Sequence, residues 1–167
     1  MSLTPNRPQC SAAEHGTAAV DGQLTAAPGA VVIDTNIVLD LFVFDDEAAR
    51  ALRAALEAGH LRWLSTAHMR EELQRVLGYA QIVPRLAYYA LTADDVLAHF
   101  DRLAHGVPPA PKTSITCSDA DDQCFIDLAV AHGAQLLSKD RAVLAMKRRL
   151  ALLGVAASTR WAPPVPA

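Results

Sequence analysis

Four acidic side chains occupy positions where a carboxylate is out of keeping with its neighbours. Asp34 follows directly on the apolar run Ala30-Val31-Val32-Ile33, and Asp140 lies two residues beyond Gln135-Leu136-Leu137-Ser138. If both runs are parallel strands, both acids stand on the rim where open α/β sheets bind ligands, beyond the carboxyl ends of the strands. Either acid also has the place of an N-cap for the helix after it. Helical phase singles out the other two. At ~100° per residue Glu72 falls about 60° from Met69 on the side of Val76, while Glu71 points away from the apolar stripe. Asp122 shares its face with Phe125, Ile126 and Ala129, whereas Asp121 and Asp127 are expected to project sideways or outward. A carboxylate on the core face of a helix is costly unless it is paired or holds a metal ion. The ordinary accounts are a boundary salt bridge from Glu72 to Arg75 and a helix-terminal acid at Asp122. The chemical account is that the four converge. Converging carboxylates repel one another and raise their own pKa values, and divalent cations relieve this. With no His or Cys in the set, the ions expected are Mg²⁺ or Mn²⁺ rather than zinc.

The elements that must position these acids follow from local pattern. Residues 30–33 form a β-branched run of the sort buried on both faces of a parallel sheet. Asp45 or Asp46 caps a helix running to about Ala58, with Ala49, Leu52, Ala55 and Leu56 at helical spacing and Gly59 as its stop. Leu61 to Ser65 reads as a second strand. A helix from Ala67 to Tyr79 carries Met69, Leu73, Val76 and Leu77 on one stripe, and Ile82 to Ala90 is helical beyond Pro84. Thr92-Ala93-Asp94-Asp95 has the form of a capping box opening a helix that presents Val96, Leu97, Phe100 and Leu103 and ends at Gly106. Three prolines in residues 107–111 demand a loop, with a brief strand expected at 113–116. A helix to His132 stopped by Gly133, a strand over 135–138, a helix over 141–152 and an edge strand over 155–158 complete the series. Alternating strands and helices predict a three-layer α/β/α, Rossmann-like open sheet, mainly parallel.

Composition narrows the setting. At 167 residues the chain fits one domain. Residues 1–29 mix Pro, Gly, Ser, Thr and Ala without periodicity and read as a flexible lead, 30–160 as the folded unit and 161–167 as a Pro-rich tail. Cys10, Cys117 and Cys124 form no CxxC pair, which excludes a zinc ribbon or a disulfide framework and points to a reducing cytoplasm. No signal peptide or membrane span is expected. A net charge of −3 and a pI near 6.0 argue against a broad cationic surface, but not against acid gathered in one pocket.

Together, Val32-Ile33-Asp34-Thr35-Asn36, Glu72-Leu73-Gln74-Arg75-Val76-Leu77, Asp119-Ala120-Asp121-Asp122 with Phe125 and Ala129, and Leu137-Ser138-Lys139-Asp140 resemble a PIN domain, closest to the toxin components of toxin–antitoxin systems. The resemblance covers about residues 30–160. It implies that Asp34, Glu72, Asp122 and Asp140 are the catalytic, metal-binding quartet, that Thr35 or Ser138 supplies a supporting hydroxyl, and that Asn36 braces the turn after the first strand. Ser138-Lys139-Asp140 departs from the commoner Thr-Gly-Asp form by adding a cation. Asp119 reads as a helix cap or a substitute ligand, with the cap favoured.

The function so implied is metal-dependent endoribonuclease cleavage leaving a 5′-phosphate and a 3′-hydroxyl. A bound ion would activate and align water and neutralise charge on the phosphate, and one carboxylate would orient or deprotonate that water. RNA over DNA, a cognate antitoxin and a homodimer are likewise implied by resemblance alone. Candidate RNA contacts are Lys139, Arg141 and Arg75, with Arg70 and the Lys147-Arg148-Arg149 cluster further out. One rival is a phosphohydrolase of the haloacid-dehalogenase kind, which needs a second Asp two residues after the first, where this chain has Asn36. The other is a non-catalytic PIN module that binds RNA or a partner.

Overall fold

Val31 and Val32 are completely buried and Ile33 nearly so, as a strand covered on both faces requires. They form the centre of β1 (Gly29–Ile33) in a computed structural model that describes residues 29–163. Most of the expected lead and tail lies outside these residues. Along the chain β1 is followed by α1 (Thr35–Phe42), α2 (Glu47–Glu57), β2 (Leu61–Ser65), α3 (Ala67–Leu77), α4 (Val83–Tyr88) and α5 (Ala93–Leu103). Then come β3 (Ala104–Gly106), α6 (Gln123–His132), β4 (Gln135–Leu137), α7 (Arg141–Ala145), α8 (Lys147–Leu152) and β5 (Ala157–Ser158).

The five strands form one all-parallel sheet in the order β3-β2-β1-β4-β5. The chain builds outward from β1 to β2 and β3, then crosses back to lay β4 on the other side. The connections therefore diverge between β1 and β4, and the crevice beyond their carboxyl ends is the switch point where such sheets bind ligands. Alternation along β1 divides the core. Val31 and Ile33 join Leu73, Leu77, Val96 and Phe100 under α1, α3 and α5, while Val32 joins Phe125, Ile126, Val143 and Leu150 under α6 to α8. Each fully buried leucine in these layers contributes about 1.5–3 kcal/mol.

Local chemistry sets the helix ends. Asp46 accepts from the Ala48 N–H at 2.9 Å, and Thr92 and Asp95 close the reciprocal capping box. Gly133 ends α6 at φ 57°, a left-handed conformation that a residue with a Cβ adopts at a cost.

Five expectations need correction. Residues 35–42 are helical, with no intervening turn for Asn36 to brace; Asn36 is exposed in the first turn of α1, and its side chain makes no hydrogen bond among the described residues. The helix before Gly106 ends at Leu103, and residues 104–106 pair with Trp63 to Ser65 as the edge strand β3. The prolines that follow cannot extend that ladder. Residues 113–116 form no strand, because side chains of α6 take their backbone groups: Asp127 accepts from the Thr113 N–H, and Gln123 accepts from the Cys117 N–H while donating to the Ile115 carbonyl. Asp127 is accordingly buried rather than outward-facing. Lastly, the helix over 141–152 is broken at Met146 into α7 and α8.

Candidate active site

Asp34 ends β1, where its backbone N–H donates to the Leu137 carbonyl at 2.9 Å and so ties the site to the β1–β4 pairing. Its side chain is 3% exposed. The buried Ser138 hydroxyl donates to Asp34 Oδ2 at 2.5 Å and accepts from the Asp140 N–H at 3.0 Å. One hydroxyl thus couples the two rim acids. Asp140 also caps α7, accepting from the Ala142 N–H at 2.6 Å, so its capping role and its place on the rim coexist. Asp34 stands at the N-cap of α1 without a side-chain capping bond.

From the other side of the crevice, Thr66 caps α3 and orients its first turns. Glu72 is half-buried and Glu71 exposed, as helical phase requires. The buried Thr35 hydroxyl donates to Glu72 Oε1 at 3.0 Å. Because Thr35 adjoins Asp34, this bond brings Glu72 alongside the first acid. No salt bridge joins Glu72 to Arg75 or to any other cation among the described residues. Asp122 stands at the N-terminus of α6, half-buried, with Asp121 exposed. Asp119 closes a turn by accepting from the Asp121 N–H and does not cap the helix.

The electrostatics carry the mark of crowded acid. Burial pushes the Asp34 carboxyl above its ordinary range; the Ser138 hydroxyl and the amides of Asn36 and Thr35 oppose the rise, and the Asp140 charge adds to it. Burial likewise raises Glu72, against the Thr35 hydrogen bond and with help from Asp34. Asp122 is pushed up to about 7, first by burial and then by the charges of Asp140, Asp34 and Asp119. When protonated it can share its hydrogen with Asp140; when ionised, its buried Oδ2 has no partner.

In donor chemistry these residues fit a hard divalent cation: the donors are all oxygen, no salt bridge joins any of the four to a cation among the described residues, and one buried oxygen is orphaned. Ser138 ties the Asp34 carboxylate to the backbone of Asp140, and Thr35, the residue after Asp34, bonds to Glu72. Among the described residues, no three His, Cys, Asp or Glu side chains are arranged to ring one ion.

The candidate RNA contacts separate. Lys139 turns from the acids to pair with Asp40 at 2.5 Å and Asp46 at 3.5 Å, so its charge is already engaged. Arg70 is held bidentately by Asp101 at 2.6 and 2.8 Å. Arg141 and Arg75 are exposed and make no ion pair among the described residues, as do Lys147, Arg148 and Arg149. Sequence reasoning missed Asp40 and Asp46 as partners of Lys139, and Gln123 with Asp127 as a clamp on the 112–117 loop. The i,i+4 spacing of Gln123 and Asp127 was the available signal for the clamp.

No curated protein is similar enough to align with this chain. A family model for the PIN domain, whose members are generally nucleases using divalent metal ions, matches residues 30–142, which carry all four acids and more than half of the chain. The all-parallel switch-point sheet and that match agree: the chain belongs to the PIN-domain family.

Proposed function

We propose that the chain is a Mg²⁺- or Mn²⁺-dependent endoribonuclease hydrolysing phosphodiester bonds of RNA, with Asp34, Glu72, Asp122 and Asp140 as its catalytic and metal-binding acids. The observation that carries this reading is an acid cluster at the switch point: Ser138 joins Asp34 to the turn into Asp140, Thr35, the residue after Asp34, bonds to Glu72, Asp122 lies within the field of Asp34 and Asp140, and no salt bridge engages any of the four among the described residues. A divalent cation held there would supply charge neutralisation at the scissile phosphate and acidify the attacking water. The chain's own groups do the positioning. Ser138 holds Asp34 and the turn into Asp140 as a unit, and Thr35 fixes the Glu72 rotamer. Arg141, at the rim, and Arg75, one turn beyond Glu72, would hold the flanking phosphates.

The test is cleavage of RNA that requires Mg²⁺ or Mn²⁺, stops with chelator and is lost in Asp34→Asn while the fold is retained. Retained RNA binding without cleavage in the wild type would instead establish the non-catalytic module. The haloacid-dehalogenase alternative finds no support: the position two residues after Asp34 is Asn36, exposed on α1. We further propose a cytoplasmic toxin, silenced by a cognate antitoxin and paired as a homodimer. Growth arrest on expression, relieved by a neighbouring small gene product, tests this. Among the described residues no helix is long and apolar enough to cross a membrane.

A further inference from the structure

A cavity of about 410 Å³ lies between α3 and α6, on the flank of the acids. One wall is Thr66 and His68, and His68 stands one turn before Glu72 on the same helical face. The opposite wall is Gln123, Cys124 and Asp127, following directly on Asp122. Cys124 lies two residues beyond Asp122, which sets this wall beside the site. Pro109 and Ala110 close the cavity with an apolar edge.

We propose that this cavity receives the base next to the scissile phosphate and selects bases that carry an exocyclic amino group. The inference rests on the ribonuclease reading for the identity of the polymer. The volume falls in the range that encloses small organic ligands, and RNA is read in sequence chiefly by splaying out unpaired bases and bonding their edges. Asp127 is the reader. Both hydrogen bonds it accepts, from the Thr113 N–H at 2.9 Å and Gln123 Nε2 at 2.7 Å, land on Oδ1. Among the described residues Oδ2 accepts none. A carboxylate oxygen so placed takes a hydrogen from the amino group of cytosine, adenine or guanine. Uracil offers a single ring N–H set between two carbonyl oxygens, which the carboxylate repels.

The experiment titrates cytidine and uridine onto the full chain, following backbone amides by NMR, beside metal-dependent cleavage of an unstructured RNA of mixed sequence. Cytidine should shift Thr66, His68, Ala110 and Cys124 and bind about two- to tenfold more tightly than uridine, the range one net hydrogen bond supplies. Cut sites should be depleted of uridine on one side. Asp127→Asn should reverse the preference, because Thr113 and Gln123 hold the amide oxygen in the Oδ1 place and leave Nδ2 to donate to a uracil carbonyl. Should that variant fail to fold, Ala110→Trp, which fills the cavity, should abolish binding of both nucleosides. Equal binding of the two nucleosides by the wild type, or cytidine binding that survives Ala110→Trp, overturns the proposal. Selective cytidine binding without RNA cleavage would refute the nuclease reading and leave the cavity's preference standing; cleavage without selectivity would do the reverse.

Discussion

Replacing Asp122 by Asn should stabilise the metal-free protein at neutral and alkaline pH while destroying its response to metal. The Asp122 carboxyl moves from the ordinary 3.8 to about 7 on folding, chiefly by burial and then by Asp140 and Asp34. Each tenfold change in proton affinity is worth about 1.4 kcal/mol, so three such factors amount to ~4 kcal/mol at full weight. Asp122 is only half-buried, and solvent screening reduces this to about 1–2 kcal/mol. The sign follows from linkage. Below pH 4 the carboxyl is protonated in both states and carries no penalty. Between pH 4 and 7 the unfolded chain has released its proton while the folded one keeps it, so stability falls as pH rises and levels off above 7. Asparagine is neutral throughout, and its amide can donate to the Asp140 carboxylate. Thermal denaturation in chelator should therefore show Asp122→Asn about 3–8 °C above wild type at pH 8 and within about 1 °C of it at pH 4. With excess Mg²⁺ the wild type should gain on the variant. A variant less stable than wild type in chelator at pH 8, or an offset equal at both pH values, would refute the account of Asp122 as a crowded, unpaired acid.

Ser138→Ala should cost about 1–3 kcal/mol in denaturant unfolding, because it strips a buried carboxylate and a backbone N–H of one shared partner; an unchanged midpoint would show that the bridge is dispensable. Lys139→Ala should leave the salt dependence of RNA binding unaltered, its charge being spent on Asp40 and Asp46, whereas Arg141→Ala should lower the slope of log K against log salt by about 0.7. Leu73→Ala should lose about 2–5 kcal/mol as read by chemical denaturation, since Leu73 is 1% exposed beneath the helix that carries Glu72.

What could be read from the sequence was whatever periodicity or a cap makes local. Glu72 over Glu71 and Asp122 over Asp121 needed only the helical repeat, and Thr92 with Asp95 announced the start of α5 by their own side chains. The helix α1 was hidden because Ile37, Val38, Leu39, Leu41 and Phe42 leave almost no polar face, so residues 35–42 carry no period to distinguish helix from strand. The strand β3 was hidden because three residues of modest β-propensity qualify only by pairing with β2. Asp127 misled for a similar reason. Its partners are a loop amide, from Thr113, and Gln123 on its own helix rather than a cation on a neighbouring one, and the orientation of Lys139 depends on Asp40 and Asp46, nearly 100 residues earlier in the chain.

The Ser138–Asp34 hydrogen bond spans 104 positions of the chain. Closing a contact of that separation costs loop entropy that the packing of the intervening crossovers must offset. During synthesis, Asp34 and Glu72 therefore emerge long before the strand that completes their site. A truncated or still-growing polypeptide ending short of residue 138 lacks the hydroxyl that ties Asp34 to the turn into Asp140, so the proposed centre cannot assemble until most of the chain has left the ribosome.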